Sequence, residues 1–375
     1  MNFGFTEEQE LLRAGVRRLL DESAPVARVR EVVESEDGFD RELWSRMASL
    51  GWVGLTIPED LGGAGADLVT LVVVLEETGR TLLPSPLVST VLAAEAILRG
   101  GDDEQRRRWL PSLADGSRIG TLALLEENDS FAAGDLHLTG ERSSDGFRLN
   151  GRKAFVPDVA AADLYVVPFR AGGGDGPIAF AIVERPAPGV SASDEPGLDP
   201  TKRLGTLGLD GVRVGARDVL AGPGPGSELL ARLLDVGAAL VTAEAVGAAE
   251  GALRLTADYA RTRVQFGSPI GRFQGVKHPL AEAFVDVESF KSLVYYAAWA
   301  LDHAAADASL AVSRAKAYAS ESFPRLGIDA VQLHGGIGYT WEYDAQLYLK
   351  RAKWFRPAFG DADHHYDRIA ALGGF

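Results

Sequence analysis

Between Pro225 and Pro269 the chain contains no proline, and Ala, Leu and Val recur every three or four positions. Apolar spacing of that kind is one face of an α-helix, and no breaker interrupts it. So long a helix must bury its face against others, which points to a helical bundle. Small residues dot the same run: Gly237, Ala238, Ala243, Gly247, Ala248 and Gly251. Glycine costs a helix about 1 kcal/mol relative to alanine, so its repetition here marks close helix packing. A second long helix is read over 274–305 and a third over 311–333.

Two other textures precede the bundle. Residues 1–118 read as helices. Thr6 and Gln9 fit a capping box, ahead of Leu11, Leu12, Val16, Leu19 and Leu20 at helical spacing. Asp40 can cap a short helix carrying Leu43, Trp44, Met47 and Leu50, with Gly51 as its stop. LTIPEDLGGAGAD is a loop, and further helices are expected over 68–79, 87–98 and 103–113. Residues 119–222 alternate β-favouring stretches (119–125, 147–149, 154–156, 164–169 and 178–183) with turn signals. Asp145-Gly146, Asn150-Gly151 and Asp210-Gly211 offer the positive φ that tight hairpins require. The fold class is α+β: helices in 1–118, a compact β domain in 119–222 and a bundle in 223–375.

Composition removes several functions. Asp and Glu outnumber Lys and Arg by 53 to 38, a net charge of −15, which argues against a nucleic-acid surface. The absence of cysteine excludes disulfides, thiolate nucleophiles and Cys-based metal sites. No stretch approaches the ~20 apolar residues of a membrane span, and MNFGFTEEQELLRAGVRRLL lacks a signal peptide's apolar core. A cytoplasmic protein without metal is expected; His364-His365 reads as a polar helix start.

Two local patterns carry chemistry. Arg263-Val-Gln265-Phe266-Gly267-Ser-Pro-Ile270-Gly271-Arg272-Phe273-Gln274 gathers a guanidinium, two carboxamides and aromatic rings around a glycine-permitted turn. An arginine fork can grip a pyrophosphate, and a ring can cover a planar base. Gln332-Leu-His334-Gly335-Gly336-Ile-Gly338-Tyr339 follows roughly 60 residues later, and its glycines leave backbone N–H groups open to an anion. Either alone reads as an ordinary helix end.

Together they resemble the acyl-CoA dehydrogenase family, and the rest of the chain agrees: GLTIPEDLGGAGAD, LEETGR, WLPSLADGSRIGTLAL and GFRLNGRKAFVPDVAAADLYVV fall where that family has equivalents. The resemblance implies N-terminal helices, a middle β-barrel-like domain and a C-terminal four-helix bundle. It also implies FAD held between two chains of a tetramer, α,β-desaturation of an acyl-CoA thioester, and an electron-transfer flavoprotein as acceptor. On the same grounds Arg263, Gln265, Phe266, Gln274, Gln332, Gly335 and Gly336 are the cofactor-binding residues, reaching the adenosine and pyrophosphate of a neighbour's FAD.

The chain also departs from the family. Its catalytic base is usually a Glu-Gly pair after the bundle's last long helices; Phe359 or Asp361 stands there, depending on the count. The other known position, a few residues after a Leu-Asp pair, is Gly237. Where the family shows Thr-Glu-Pro, Gly-Ser-Asp and Trp-Ile-Thr beside the flavin, this sequence has Leu125-Glu126-Glu127-Asn128, Ala132-Ala133-Gly134-Asp135 and Phe155-Val156-Pro157. What a chain lends its neighbour is kept and what it needs itself is altered. No catalytic residue is therefore expected, and a heterotetramer with a catalytic dehydrogenase chain is favoured over a homotetramer. The rival readings are a self-sufficient enzyme using Asp361 or Asp363, both of which suit helix capping equally well, and a flavin-free acyl-CoA-binding or scaffolding protein. Glu244 is a weak substitute base.

Overall fold

The computed structural model describes residues 4–375. Six helices come first: α1 (Glu7–Ser23), α2 (Val26–Val33), α3 (Arg41–Ser49), α4 (Leu68–Arg80), α5 (Leu87–Gly100) and α6 (Asp103–Ala114). Seven strands follow: β1 (Gly120–Leu122), β2 (Thr139–Arg142), β3 (Gly146–Pro157), β4 (Leu164–Ala171), β5 (Ile178–Glu184), β6 (Val190–Glu195) and β7 (Leu204–Gly215). Then come α7 (Gly226–Thr262), the two-residue strands β8 (Val264–Gln265) and β9 (Ser268–Pro269), α8 (Gln274–Asp302), α9 (Ala308–His334), α10 (Ala345–Phe355) and α11 (Ala362–Gly373). Local chemistry sets the starts as read: Thr6 and Gln9 exchange side-chain and backbone bonds ahead of α1, and Asp40 accepts from the amides of Glu42 and Leu43.

The chain forms two compact units. One holds the residues up to Glu31, Leu68–Leu83 and Ala238–Phe375; the other holds Val32–Asp67 and Pro84–Gly237.

The second unit is built on one mixed sheet ordered β1-β4-β2-β3-β7-β6, with β5 also paired to β4. α5 covers β1 and β4. Here the turn reading needs correction. Asn150-Gly151 and Asp210-Gly211 are not hairpin turns but lie inside β3 and β7, which run past them. The register slips between Leu149 and Gly151, and the Gly211 amide donates to the Asn150 side chain at 2.8 Å. Positive φ at Gly211 (+63°) serves a bulge in a long ladder, a use that dipeptide chemistry cannot separate from a turn. Likewise 147–149 and 154–156 belong to one strand, and β2, β6 and β7 went unread because their glycines and polar residues mask the alternation.

In the first unit α9 packs against α8, α10 and α11. α4 and α7 meet backbone to backbone: a Cβ on Gly79 would overlap the Glu244 carbonyl, and one on Gly247 would overlap that of Glu76. This is the close approach that the small residues imply. Beside it, α1 is fastened to α4 by arginines one helical turn apart. Arg13 meets Glu76 at 2.9 Å, and Arg17 meets Glu77 at 2.6 Å; both glutamates are buried. Arg80 adds a second cation to Glu77 at 2.7 Å. No helix among the described residues is long and apolar enough to cross a membrane.

Burial pushes the Glu76 carboxyl up from 4.5 to about 7, against the pull of Lys291 and Arg13. For a carboxyl raised on folding, the stabilising effect is full below the unfolded value near 4.5 and is lost as pH rises through about 7. We expect thermal stability to fall across that window by up to roughly 3 kcal/mol, and Glu76→Gln to flatten the fall. Equal slopes in wild type and variant would contradict the assignment.

Candidate functional site

The two patterns meet at one end of the helical unit. α7 stops at Thr262, and Arg263 leads into the β8–β9 hairpin, closed by a bond from the Ile270 amide to the Arg263 carbonyl at 2.8 Å. Its two-residue turn is Phe266-Gly267, with φ of +52° and +76°. Two successive positive φ values make a turn of type I′, where asparagine or glycine sits without strain and a bulky residue does not. The Phe266 ring is nevertheless 95% exposed. Its one ring contact among the described residues is edge to face on Phe273, centroids 6.1 Å apart, so most of this strained residue's apolar surface stays open.

The second pattern lies beside the first because of an aromatic tie. The Tyr259 ring packs tilted on His334 with centroids 4.4 Å apart, its hydroxyl donates to the His334 carbonyl at 3.3 Å, and Tyr343 closes the cluster, 4.8 Å from His334 and 6.2 Å from Tyr259. His334 itself is buried, and desolvation holds its imidazole below the usual range. Tyr259 and Tyr343 escaped the sequence reading. Tyr259 sits one helical turn before Arg263, the only local hint of its part.

Every residue expected at this site is exposed: Arg263, Gln265, Phe266, Gln274, Gln332, Gly335 and Gly336. Gln265 donates to the Val264 carbonyl. Arg263, Gln274 and Gln332 make no side-chain hydrogen bond or ion pair among the described residues. α9 ends at Gly335 (φ +66°), and neither Gly335 nor Gly336 has any atom within 4 Å of where a Cβ would stand. α8 opens at Gln274 without a side-chain cap, leaving first-turn amides for an anion. One guanidinium, three carboxamides and open backbone N–H groups form a donor set that fits the diphosphate and adenosine of a dinucleotide.

The loop from α10 to α11 tells the opposite story. Buried Lys316 donates from α9 to the carbonyls of Phe355, Arg356 and Gly360 at 2.8–3.2 Å and to the Ser320 hydroxyl at 2.8 Å. His365 Nε2 donates to the Phe359 carbonyl at 2.9 Å, its imidazole pushed down to about 3 by burial and the Lys316 charge. Phe359 is held at φ +57°. The loop is firmly built, yet it presents a phenyl ring. Asp361 accepts the His364 amide at 3.0 Å as N-cap of α11, and Asp363 is exposed in the helix's first turn. Gly237 is buried inside α7; Glu244 is buried there also, opposite Gly79.

In the sheet unit, Glu126 accepts the amides of His137 and Leu138 and pairs with Lys153 at 2.8 Å. Burial pushes the Lys153 ammonium down to about 8, with Glu126 opposing it. Phe155 is exposed at φ +51°, and Pro157 pairs with Leu204 in the ladder. Pro157 has neither a hydroxyl nor a backbone N–H, and the Phe155 side chain carries no hydrogen-bonding group.

Known proteins agree with this architecture. The family model described as the acyl-CoA dehydrogenase N-terminal domain matches residues 6–117, and the C-terminal domain model matches 224–373. Acyl-CoA dehydrogenase IpdE2 of Mycolicibacterium smegmatis is 35% identical over 367 residues, covering 98% of this chain and 99% of that protein. A chain of the ChsE4-ChsE5 complex from Mycobacterium tuberculosis superposes with a TM-score of 0.91 at 31% identity, covering 100% of this chain and 99% of that one. A variant of the Tcur3481-Tcur3483 steroid ACAD gives a TM-score of 0.88 at 35% identity, with 98% of each chain covered. With helices, sheet and bundle in the same order and its relatives matching end to end, the chain belongs to the acyl-CoA dehydrogenase family of FAD-dependent oxidoreductases.

Proposed function

We propose that this chain is the non-catalytic subunit of a heteromeric acyl-CoA dehydrogenase, lending the adenosine and pyrophosphate half of the FAD site to a partner that carries the base. The observation that carries the reading is the pairing of opposites in one chain. An outward-facing donor set around Phe266 is complete, while Phe359 or Asp361, depending on the count, and Gly237 stand where the family has a glutamate base. In this reading Arg263 grips the diphosphate, Gln332 and the Gly335 and Gly336 amides bond its oxygens, Gln265 and Gln274 hold the adenosine side, and Phe266 covers the base. FAD, when bound, takes up the hydride that leaves the β-carbon of the acyl thioester while a carboxylate removes the α-proton. The partner supplies that carboxylate. A heterotetramer results, with an electron-transfer flavoprotein as its acceptor. Relatives described as a two-component complex and a steroid ACAD support an acyl group as bulky as a steroid side chain.

The lone chain should purify colourless, and co-expression with a neighbouring dehydrogenase gene should give a yellow complex with one FAD per pair of chains. Arg263→Ala in that complex should lower the flavin content without unfolding either chain. A lone chain that binds one FAD per copy and is bleached by an acyl-CoA overturns the proposal.

A second measurement addresses the self-sufficient alternative. If Asp361 only caps α11, Asp361→Ala costs about 1 kcal/mol of stability and Asp361→Asn almost none, with the turnover of the complex unchanged in both. Loss of turnover in Asp361→Asn at full stability would make it a base.

A further inference from the structure

Gly335 and Gly336, set above against the FAD diphosphate, have no side chains to hold them in place. Glycine has the most backbone freedom to lose, so such a turn keeps its amides in one arrangement only when its flanks are fixed. The entry is fixed by the end of α9, where Tyr259 packs on His334. Gly338 folds back on that end, so close that a Cβ there would stand 2.6 Å from the Val331 carbonyl oxygen. The exit is the stretch 340–344, between the turn and α10. Thr340 returns its amide and its hydroxyl to the Ile337 carbonyl, at 3.1 and 3.0 Å, and Tyr343 reaches the His334 ring.

A side chain 311 positions away also holds the exit. Arg30 stands in the last turn of α2, between buried Val29 and Val32. Its Nη1 donates to the Trp341 carbonyl at 2.6 Å, while Nη2 and Nε donate to Asp344 Oδ1 at 2.8 and 3.3 Å. The guanidinium carbon lies 5.4 Å from the centre of the Trp341 ring, and Lys350 Nζ lies 4.7 Å from it. The Arg30 and Asp344 side chains are 18% and 33% exposed, so the ion pair by itself adds little stability. What the planar fork adds is geometry: one group fixes a carbonyl, a ring and a carboxylate together. Asp344 precedes α10 without a side-chain cap bond, which leaves its carboxylate to the clamp.

We propose that Arg30 is a positioning residue for the glycine turn: by clamping Trp341 and Asp344 it holds the Gly335 and Gly336 amides ready for the diphosphate of a dinucleotide. The inference rests on the reading that this turn bonds the FAD diphosphate, and it adds a residue that acts without touching the ligand. A turn ordered in advance loses less freedom on binding, so its affinity is higher for the same contacts. Lysine at this position keeps the charge but cannot span carbonyl, ring and carboxylate at once.

Two readouts test it, one of them free of flavin. In the full chain alone, Arg30→Ala should speed hydrogen exchange of the amides in 335–343 about fivefold or more, while those of α11 keep the wild-type rate. In the flavin-bearing complex the same variant should raise the Kd for FAD about fivefold or more, with Arg30→Lys between it and wild type. Asp344→Ala should match Arg30→Ala, and the double variant should be little worse than either, as two halves of one clamp require. Arg108→Ala, which breaks a comparable pair with Asp218 at 2.8 Å in the sheet unit, controls for a general loss of stability and should leave both readouts at wild type. The proposal needs both changes: an unchanged exchange rate, an unchanged Kd, or an equal effect in Arg108→Ala overturns it. Arg263→Ala separates this failure from that of the reading beneath it. If Arg263→Ala weakens FAD binding and Arg30→Ala does not, only the clamp is wrong; if neither does, the FAD assignment of this surface is wrong as well.

Discussion

Where α4 meets α7 there is no room for side chains. Gly79 and Gly247 let the two backbones touch, and Gly251 leaves space for the Tyr348 ring, whose hydroxyl reaches the Arg80 carbonyl at 2.9 Å. Three helices are thus registered by hydrogen-bonding backbone and the absence of Cβ atoms. The rest of the helical unit follows from that contact. It faces Glu76 and Glu77 toward α1, where Arg13 and Arg17 neutralise them, and it fixes the line along which α7 runs out to Arg263. A methyl group at Gly247 would push the helices apart and carry both buried ion pairs with them.

Two residues of this unit, Phe266 and Phe359, hold left-handed backbone, and they differ in what surrounds them. At Phe266 a left-handed turn holds an aromatic ring largely in solvent, with Phe273 edge to face beside it. At Phe359 a left-handed residue is held from within: Lys316 donates to the Phe355 and Gly360 carbonyls on either side, and His365 to that of Phe359 itself. The α10–α11 loop is fixed by these bonds and carries the Phe359 ring and the capping carboxylate of Asp361.

The sequence by itself determined the long helices, part of the sheet, the caps at Thr6 and Asp40 and the absence of a Glu-Gly pair near the last helix. These are readable because a cap or an absent carboxylate is a property of a few neighbouring residues. It did not determine which chemistry a positive φ would serve. Asn150-Gly151 and Asp210-Gly211 carry the composition of turns, yet ladder bonds on both sides make them bulges. Nor did it mark the residues that bind the patterns into one site. The stacking of Tyr259, His334 and Tyr343 and the burial of Lys316 under carbonyls about 40 positions away depend on contacts that no local window contains. Only the tertiary structure decided these, because the burial of a charge or the pairing of a carbonyl is set by whatever the fold brings alongside, not by the residue's own neighbours in sequence.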